Sequence, residues 1–291
     1  MTTTAIEPTT ASSATPCKIE TTIHFLRKDS IHEHEKPYAF RFDPGDDVPQ
    51  SNFTLEAHSG ITVRDLRSIR DEFTISKNGF AILNLPHNVP YDDYHDADLI
   101  KKSYFNQLET LLKSHLNASH VEIFRHGLRK RHKNFPVSTG NQYEYDQPTS
   151  VAHVDTTPAE VLQEVLRQHG KPSKGRRVQW INIWKPLRGP LNDWPLAVVD
   201  TSTVNPSQDF EPADLLYPDL ATENAQVYFS DRYQWWYLSD HQVDELIVFV
   251  QADTGDSPLA GVPHSSFYNP FVGQNEPPRE SIEARALVYY D

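Results

Sequence analysis

The chain has 291 residues, 37% of them hydrophobic and 11% aromatic, enough to bury a substantial core in one large or two small domains. Its 40 acidic and 27 basic residues give a formal net charge of −13, which disfavours nucleic acid and anionic membranes as partners. A single cysteine, Cys17, allows no internal disulfide and no thiolate metal cluster. Without a secretory signal pattern or an apolar run of the ~20 residues that span a bilayer, we expect a cytoplasmic protein.

The first half of the chain contains a polar tail, strand patterns and one clear helix. Residues 1–16 are mostly Thr, Ser, Ala and Pro, so we expect a disordered tail ahead of a single domain spanning 17–291. In residues 73–86 two apolar runs flank a Lys-Asn-Gly sequence, which predicts a pair of strands joined by a turn. Apolar side chains at helical spacing predict an amphipathic helix over residues 96–116.

The second half is predicted to be one helix followed by many strands. Pro158–His169 has the pattern of a helix, with Thr157 as its N-cap and Gly170 at its end. Strand patterns follow at 177–187, 195–200, 225–230, 235–239, 245–253 and 281–290. This order predicts a mainly β fold with flanking helices: a double-stranded β-helix, that is, a cupin-like jelly-roll, with its core in residues 140–291.

One basic run, RHGLRKRHK at residues 125–133, departs from the acidic average of the chain. Short runs of like charge are more typical of a solvated face than of a binding patch. We therefore expect this run to be solvated.

A candidate metal site begins at His153 and Asp155, which are two residues apart. In an extended strand, side chains i and i+2 project from the same face, so both could reach one ion. An imidazole and a carboxylate are two of the three ligands of the facial triad found in non-haem Fe(II) oxygenases. The pair alone is not specific, because the chain has 14 histidines.

The third ligand should be a histidine on a later strand. His264 follows the apolar run 245–253 and stands near the end of the predicted barrel, which favours it. His241 is the alternative, but it lies among polar residues that predict a loop.

Two arginines of the last strand are candidates to anchor a cosubstrate. A facial triad leaves three positions open, enough for a bidentate 2-oxo acid such as 2-oxoglutarate and for O2. Arg279 and the hydroxyl of Ser281 could bind its far carboxylate, and Arg285 lies on the same strand face. The spacing favours Arg279, and Glu283 is expected to pair with the arginine that is not used. Both arginines could instead be surface salt-bridge partners.

Six longer stretches occur in a fixed order: AHVDTTP, RVQWINIWKPLRGP, WPLAVVD, WWYLSDHQVDELIVFVQAD, PHSSFYNP and PPRESIEARALVYY. Together they resemble the family of small fungal and bacterial oxygenases that includes the fungal gibberellin desaturase, the aspergillic-acid-pathway hydroxylase and a cephamycin methoxylation protein. The likeness is good over residues 140–291 and loose before them. The chain departs from it at Tyr233-Gln234, where a histidine is expected before the aromatic pair.

The resemblance implies an enzyme that uses Fe(II), 2-oxoglutarate and O2 to hydroxylate or desaturate a small specialised metabolite, releasing succinate and CO2. It implies iron ligation by His153, Asp155 and His264, and cosubstrate binding by Arg279 or Arg285.

Five further side chains are candidates for the substrate pocket, although core packing would explain them equally well. They are Tyr143, Tyr145, Trp180, Asn182 and Trp184. Two other functions stay open on the same barrel. One is a metal-dependent isomerase, lyase or dioxygenase that does not use 2-oxoglutarate. The other is a non-catalytic jelly-roll that binds a small molecule.

Overall fold

The computed structural model describes residues 18–136, 143–173, 175–256, 258–273 and 276–291. The predicted tail at 1–16 lies outside the described residues. No helix in the described part of the chain has the length and apolar character needed to cross a bilayer.

Strands dominate the chain. In order they are β1 (Lys18–Leu26), β2 (Tyr38–Phe40), β3 (Leu55–Asp65), β4 (Phe80–Asn84), β5 (His120–Lys130), β6 (His153–Val154), β7 (Val178–Pro186), β8 (Leu196–Val199), β9 (Phe210–Leu216), β10 (Ala221–Val227), β11 (Trp235–Tyr237), β12 (Glu245–Asp253), β13 (His264–Ser266) and β14 (Glu280–Tyr289). The α-helices are α1 (Ile75–Asn78), α2 (Ala97–Ile100), α3 (Asn106–His115), α4 (Pro158–His169) and α5 (Pro206–Asp209), and a π-helical segment (Lys101–Phe105) joins α2 to α3.

These strands form two sheets. The nine-stranded sheet has the order β1-β3-β11-β8-β13-β6-β10-β9-β2, and the five-stranded sheet has the order β4-β12-β7-β14-β5. Bridges from His24 to Val151 and from Leu26 to Tyr228 bring β1 back towards β6 and β10, so the larger sheet is curled. The expected jelly-roll fold is confirmed.

The five-stranded sheet is covered on its outer face by helices. Ile282, Ala284 and Ala286 of β14 are fully buried in one apolar cluster with Leu108 and Leu112 of α3. Because successive side chains of a strand point to opposite faces, the alternate side chains of β14 face the interior between the sheets. The helix predicted over residues 96–116 is confirmed as the continuous α2, π and α3 segment.

Helix α4 also follows its prediction closely. The Thr157 hydroxyl accepts a hydrogen bond from the backbone N–H of Glu160 at 3.3 Å, and Gly170 ends the helix in the left-handed region at φ 64°. Val161 and Val165 pack on Trp180 of β7, so the helix covers one end of the five-stranded sheet.

The strand pair predicted over residues 73–86 is wrong in its first half. Ile75–Asn78 forms the short helix α1, and only Phe80–Asn84 is a strand. Gly79, at φ 79°, caps the helix rather than turning a hairpin, and a Cβ there would lie 2.4 Å from Thr201 Cγ2. The Asn-Gly pair thus correctly indicated a residue with a left-handed backbone conformation. That conformation occurs at helix C-termini as well as in hairpin turns.

Strands that precede residue 140 take part in both sheets, since β1 and β3 belong to the larger sheet and β4 and β5 to the smaller one. The limits of a single domain at residues 17–291 stay a prediction.

Candidate active site

His153, Asp155 and His264 come together between the two sheets. Strand β13 pairs with β6 so that His264 lies directly across from His153, and Asp155 follows β6 on the same face as His153. One ligand atom from each of the three lies within 4.8 Å of the others, and the two imidazole centroids are 4.3 Å apart. The pairing of one residue of β13 with one of β6 therefore brings His264, from a distant part of the sequence, to His153 and Asp155.

The hydrogen bonds of the two histidines suit a metal. The Nδ1 of His153 donates to the carbonyl of Val151 at 2.8 Å, and the Nδ1 of His264 donates to the carbonyl of Val262 at 3.2 Å. Because each Nδ1 is the donor, each Nε2 keeps its lone pair free for a cation. Two neutral imidazoles and one carboxylate are the donor set of a non-haem Fe(II) facial triad, so these residues fit that ion.

Asp155 is held by polar side chains of the neighbouring strands. Its Oδ2 accepts a hydrogen bond from Asn182 Nδ2 at 2.6 Å and lies 3.1 Å from Arg285 Nη2. Its backbone N–H donates to Gln251 Oε1 at 2.6 Å. The other carboxylate oxygen, Oδ1, lies 3.4 Å from His153 Nε2, so it remains on the side of the histidines.

The electrostatics keep this site ready for a cation. Burial alone would raise the pKa of Asp155, but the charge of Arg285 outweighs it and holds the pKa well below its usual range. Burial, followed by repulsion from His153, lowers the pKa of His264 to about 3. The site is therefore an anionic carboxylate beside uncharged imidazole, as metal binding requires.

His241, the alternative third histidine, lies elsewhere. It is buried, its Nε2 meets the carbonyl of Glu245 at 2.9 Å, and its ring contacts Trp184. Burial lowers the pKa of His241 to about 4. The structure brings His264, and not His241, to the pair of ligands predicted from the sequence.

Arg279 is a buried cation without an acidic partner. Its guanidinium donates to the carbonyl of Trp194, at 2.7 Å, and to the hydroxyls of Ser266 and Ser281, and it stacks 4.8 Å over Trp184. No carboxylate of the described residues lies within ion-pair distance of this guanidinium. Burial, followed by repulsion from Arg129, lowers the pKa of Arg279 to about 9. A buried cation in such a setting favours a bound anion.

The carboxylate that contacts the Arg279 backbone already pairs with another cation. Asp193 accepts the backbone N–H of Arg279 at 2.8 Å and forms an ion pair with Arg131.

Arg285 differs from Arg279 in being neutralised within the protein. Its Nη2 lies 2.9 Å from Glu283 Oε1 and 3.1 Å from Asp155 Oδ2. Burial opposes its charge, but Asp155 and Glu283 together raise the pKa of Arg285 further above its usual range. Glu283 thus pairs with Arg285, the arginine that the spacing did not favour for the cosubstrate.

A cavity of about 700 Å³ opens beside the triad. Its wall includes His153, Asp155 and Arg285, together with side chains of β5, β7, β9, β10 and α4. The space is large enough for a small organic molecule next to the metal ligands.

The five predicted pocket residues separate into two groups. Trp180 lines the cavity, whereas Tyr143, Tyr145, Asn182 and Trp184 are not part of its wall. Tyr143 packs against His132, Tyr145 lies under the Lys130 ammonium, and Trp184 lies under Arg279. Their roles towards a substrate stay predictions.

Sequence reasoning placed Asn182 in the substrate pocket and missed its support of Asp155. One signal was available: Asn182 is an amide at the centre of β7, on a face otherwise formed by Val178, Trp180 and Trp184. Its carbonyl oxygen accepts a hydrogen bond from Trp180 Nε1 at 2.9 Å, which orients the amide nitrogen towards Asp155.

The departure from the family pattern at Tyr233-Gln234 lies outside the cavity wall. Tyr233 is buried with Trp235 and Phe25 in an apolar cluster of the larger sheet. The substitution therefore does not alter the lining of the cavity.

Comparisons with known proteins agree with this geometry. A family model described as Oxidoreductase/YMDC permease-like domain matches residues 23–289. The chain is 30% identical to the Fe(II)/2-oxoglutarate-dependent dioxygenase nvfI of Aspergillus novofumigatus, over 95% of this chain and 98% of that protein. It is 29% identical to the hydroxylase/desaturase poxK of Penicillium oxalicum, over 98% of this chain and 97% of that protein. A solved structure of the iron and alpha-ketoglutarate-dependent endoperoxidase NvfI superposes with a TM-score of 0.81 at 27% identity, covering 94% of this chain and 98% of that one.

Proposed function

This chain belongs to the family of Fe(II)/2-oxoglutarate-dependent dioxygenases, and we propose that it hydroxylates or desaturates a small specialised metabolite bound in the cavity beside the triad. In this proposal His153, Asp155 and His264 are the iron ligands, and Arg279 with Ser281 holds the far carboxylate of 2-oxoglutarate. The reaction would release succinate and CO2 and would take place in the cytosol.

One observation carries the proposal: three ligand atoms of the facial-triad type meet within 4.8 Å, and two of the three residues, His153 and Asp155, line a cavity of about 700 Å³. When bound, Fe(II) and 2-oxoglutarate supply the activation of O2 and the oxidising power. The chain's own contribution is to orient the ligands, exclude water and hold the substrate C–H close to the metal.

The residues around the triad divide this work. Asn182 and Arg285 fix the outer oxygen of Asp155, so the inner oxygen points to the metal. Arg279 can offer a forked donor to a carboxylate, the geometry that suits bidentate binding. Trp180 forms part of the cavity wall and gives a substrate an apolar surface beside His153.

Names of relatives support an oxidation of the substrate without fixing its outcome. One relative is named a hydroxylase/desaturase and another an endoperoxidase. Removal of one hydrogen atom followed by hydroxylation, or removal of two, would start from the same substrate position. The choice between them depends on how the cavity holds the substrate.

The test is Fe(II)-dependent conversion of 2-oxoglutarate to succinate by protein purified without oxygen. We expect succinate with Fe(II) and none without it, and loss of both metal binding and succinate in His264→Ala. The control is His115→Ala, which removes an exposed imidazole at the end of α3.

Other outcomes identify the alternatives. A protein that binds the metal at His264 but leaves 2-oxoglutarate unconsumed would be an isomerase, a lyase or a dioxygenase of another type. A protein that binds no metal would be a small-molecule-binding jelly-roll, and the proposal would be wrong.

A further inference from the structure

The basic run at residues 125–133 divides into paired and unpaired cations. Lys130 lies 3.8 Å from Glu280, and Arg131 forms an ion pair with Asp193. Arg125 and Arg129 line the cavity instead, and neither forms an ion pair with a carboxylate of the described residues. The expectation of a wholly solvated face therefore holds for only part of the run.

Strand register explains this division. Arg125, Gly127 and Arg129 alternate along β5 and pair across to Arg285, Glu283 and Ser281 of β14, the face that carries the metal-site residues. A Cβ at Gly127 would meet nothing within 4 Å, so the strand leaves open space between its two arginines. The arginines thus flank an opening on the cavity wall.

Arg129 is the more constrained of the two. It is half-buried, and its Nη1 donates to the carbonyl of Gln147 at 2.6 Å, which fixes the guanidinium at the wall. After burial, repulsion from Arg129 is the next cause that lowers the pKa of Arg279, so the two cations lie near one another. Arg279, in contrast, is fully buried and does not line the cavity.

The acids that line the cavity pair with cations other than Arg129. Glu160 and Glu164 share Arg167, Glu223 pairs with Lys36, and Asp155 and Glu283 share Arg285. Asp146 also lines the cavity, but its side chain is exposed and forms no ion pair with Arg129. Among the described residues, Arg125 and Arg129 therefore give the β5 side of the cavity two cations without ion-pair partners.

Apolar side chains lie beside this basic edge. Trp180 lines the cavity and meets the Phe124 ring edge-on at 4.5 Å, and Arg125 lies 6.0 Å over that same ring. Phe53, Leu55 and Leu215 line the opposite side of the cavity. A ligand that fits both features has an apolar body and one anionic end.

We propose that Arg129, assisted by Arg125, binds a carboxylate on the substrate, so that the enzyme oxidises a small carboxylic acid with an apolar body. This inference rests on the proposed function and names the substrate class of the same site. A carboxylate suits the planar guanidinium fork, and its single charge is repelled less by Glu160, Glu164 and Glu223 than the two charges of a phosphate.

The experiment uses the full chain loaded with Mn(II) and 2-oxoglutarate under argon, because Mn(II) occupies such sites without turnover. Metal content and 2-oxoglutarate affinity are measured first, so a failure of the proposed function is seen separately. Calorimetry then compares 1-naphthaleneacetate with its uncharged methyl ester as probes. We expect the acid to bind at least about 10-fold more tightly than the ester, because the ester lacks the charge for one charged hydrogen bond.

Substitution locates the effect. Arg129→Met should abolish the preference for the acid, and Arg125→Met should reduce it. Arg64→Met, which removes an exposed arginine outside the cavity, should leave it unchanged. Equal or undetectable binding of acid and ester, or an acid preference that survives Arg129→Met, would overturn the proposal. So would a loss of 2-oxoglutarate affinity in Arg129→Met above a few-fold, which would place Arg129 in the cosubstrate site.

Discussion

Two arginines beside the proposed metal site, one in the middle of β14 and one just before it, lie in opposite settings. Arg285, in the strand, is partly exposed and lies between Glu283 and Asp155, both within 3.1 Å. Arg279, before the strand, is buried and meets only hydroxyls, a carbonyl and the face of Trp184. The first arginine is neutralised by the protein, and the second has its charge available for a ligand.

This difference assigns the two arginines different roles. Arg285 contacts the oxygen of Asp155 that faces away from the histidines, so we expect it to support a proposed metal ligand. Arg279 contacts none of the proposed metal ligands among its described hydrogen bonds, and we expect it to offer its guanidinium to a carboxylate from outside.

The largest effect on metal affinity is expected from Arg285→Met. Asp155 would lose its charged partner and its fixed orientation, and the affinity for Mn(II) or Fe(II) should fall by about 10- to 100-fold, as for other residues that support metal ligands. Anaerobic metal titration measures it, with Arg64→Met as the control for loss of one surface charge. An unchanged metal affinity would show that the contact with Asp155 is incidental.

A smaller effect is expected from Asn182→Leu, which keeps the size of the side chain. Asp155 then loses an uncharged donor at 2.6 Å but keeps Arg285, so metal affinity should fall by about 10-fold. The same titration applies. If Asn182→Leu lowered the metal affinity more than Arg285→Met does, Asn182 rather than Arg285 would be the stronger support of Asp155.

Lys185 tests whether every buried cation without a carboxylate marks a ligand site. Its ammonium is 1% exposed, lies 3.0 Å from the Tyr94 hydroxyl and faces the Tyr94 and Tyr104 rings, within the layer beneath the helices. Burial lowers the pKa of Lys185 to about 7. It lies on the face of β7 opposite Asn182, away from the proposed metal ligands, so we expect it only to cost stability.

The sign of that cost follows from the pKa. Between pH 7 and the ordinary lysine value of 10.5, the unfolded chain binds more protons than the folded one, so stability rises with pH. Relative to Lys185→Met, the wild type should gain about 1.4 kcal/mol of unfolding free energy from pH 8 to pH 9. Urea unfolding of both proteins at the two pH values measures this difference in unfolding free energy. The same change with pH in both proteins would contradict the lowered pKa of Lys185.

The smallest effect is expected from Glu283→Gln. Arg285 keeps Asp155 as a partner, so metal affinity should change by no more than a few-fold. If Glu283→Gln weakened 2-oxoglutarate binding strongly instead, Arg285 would not be separate from the cosubstrate site. Titration of the metal and then of 2-oxoglutarate distinguishes these results.

The sequence was sufficient to predict the features that depend on residues close together in the chain. The His153 and Asp155 pair depends on alternation within one strand, and helix α4 depends on Thr157, Pro158 and Gly170 at its two ends. Local chemistry decides such features, so spacing and residue type predict them.

Features that depend on pairing between distant strands were not predictable in the same way. The contact of Asn182 with Asp155 requires β7 to lie beside β14 in the register that pairs Asn182 with Arg285. Predicting that Arg129 has no ion-pair partner among the described residues likewise requires the register of β5 against β14. Tyr143 and Tyr145 precede the triad closely in sequence, yet they lie outside the cavity wall, with their rings against His132 and the Lys130 ammonium.

The central claim is that Arg279 holds 2-oxoglutarate while Arg285 holds Asp155. Titration of 2-oxoglutarate into metal-saturated protein under argon tests it directly. We predict that Arg279→Met lowers the affinity by about 100-fold or more at full metal occupancy, that Arg279→Lys restores part of it, and that Arg285→Met changes it by no more than a few-fold. Normal 2-oxoglutarate binding by Arg279→Met, together with its loss in metal-saturated Arg285→Met, would contradict the account.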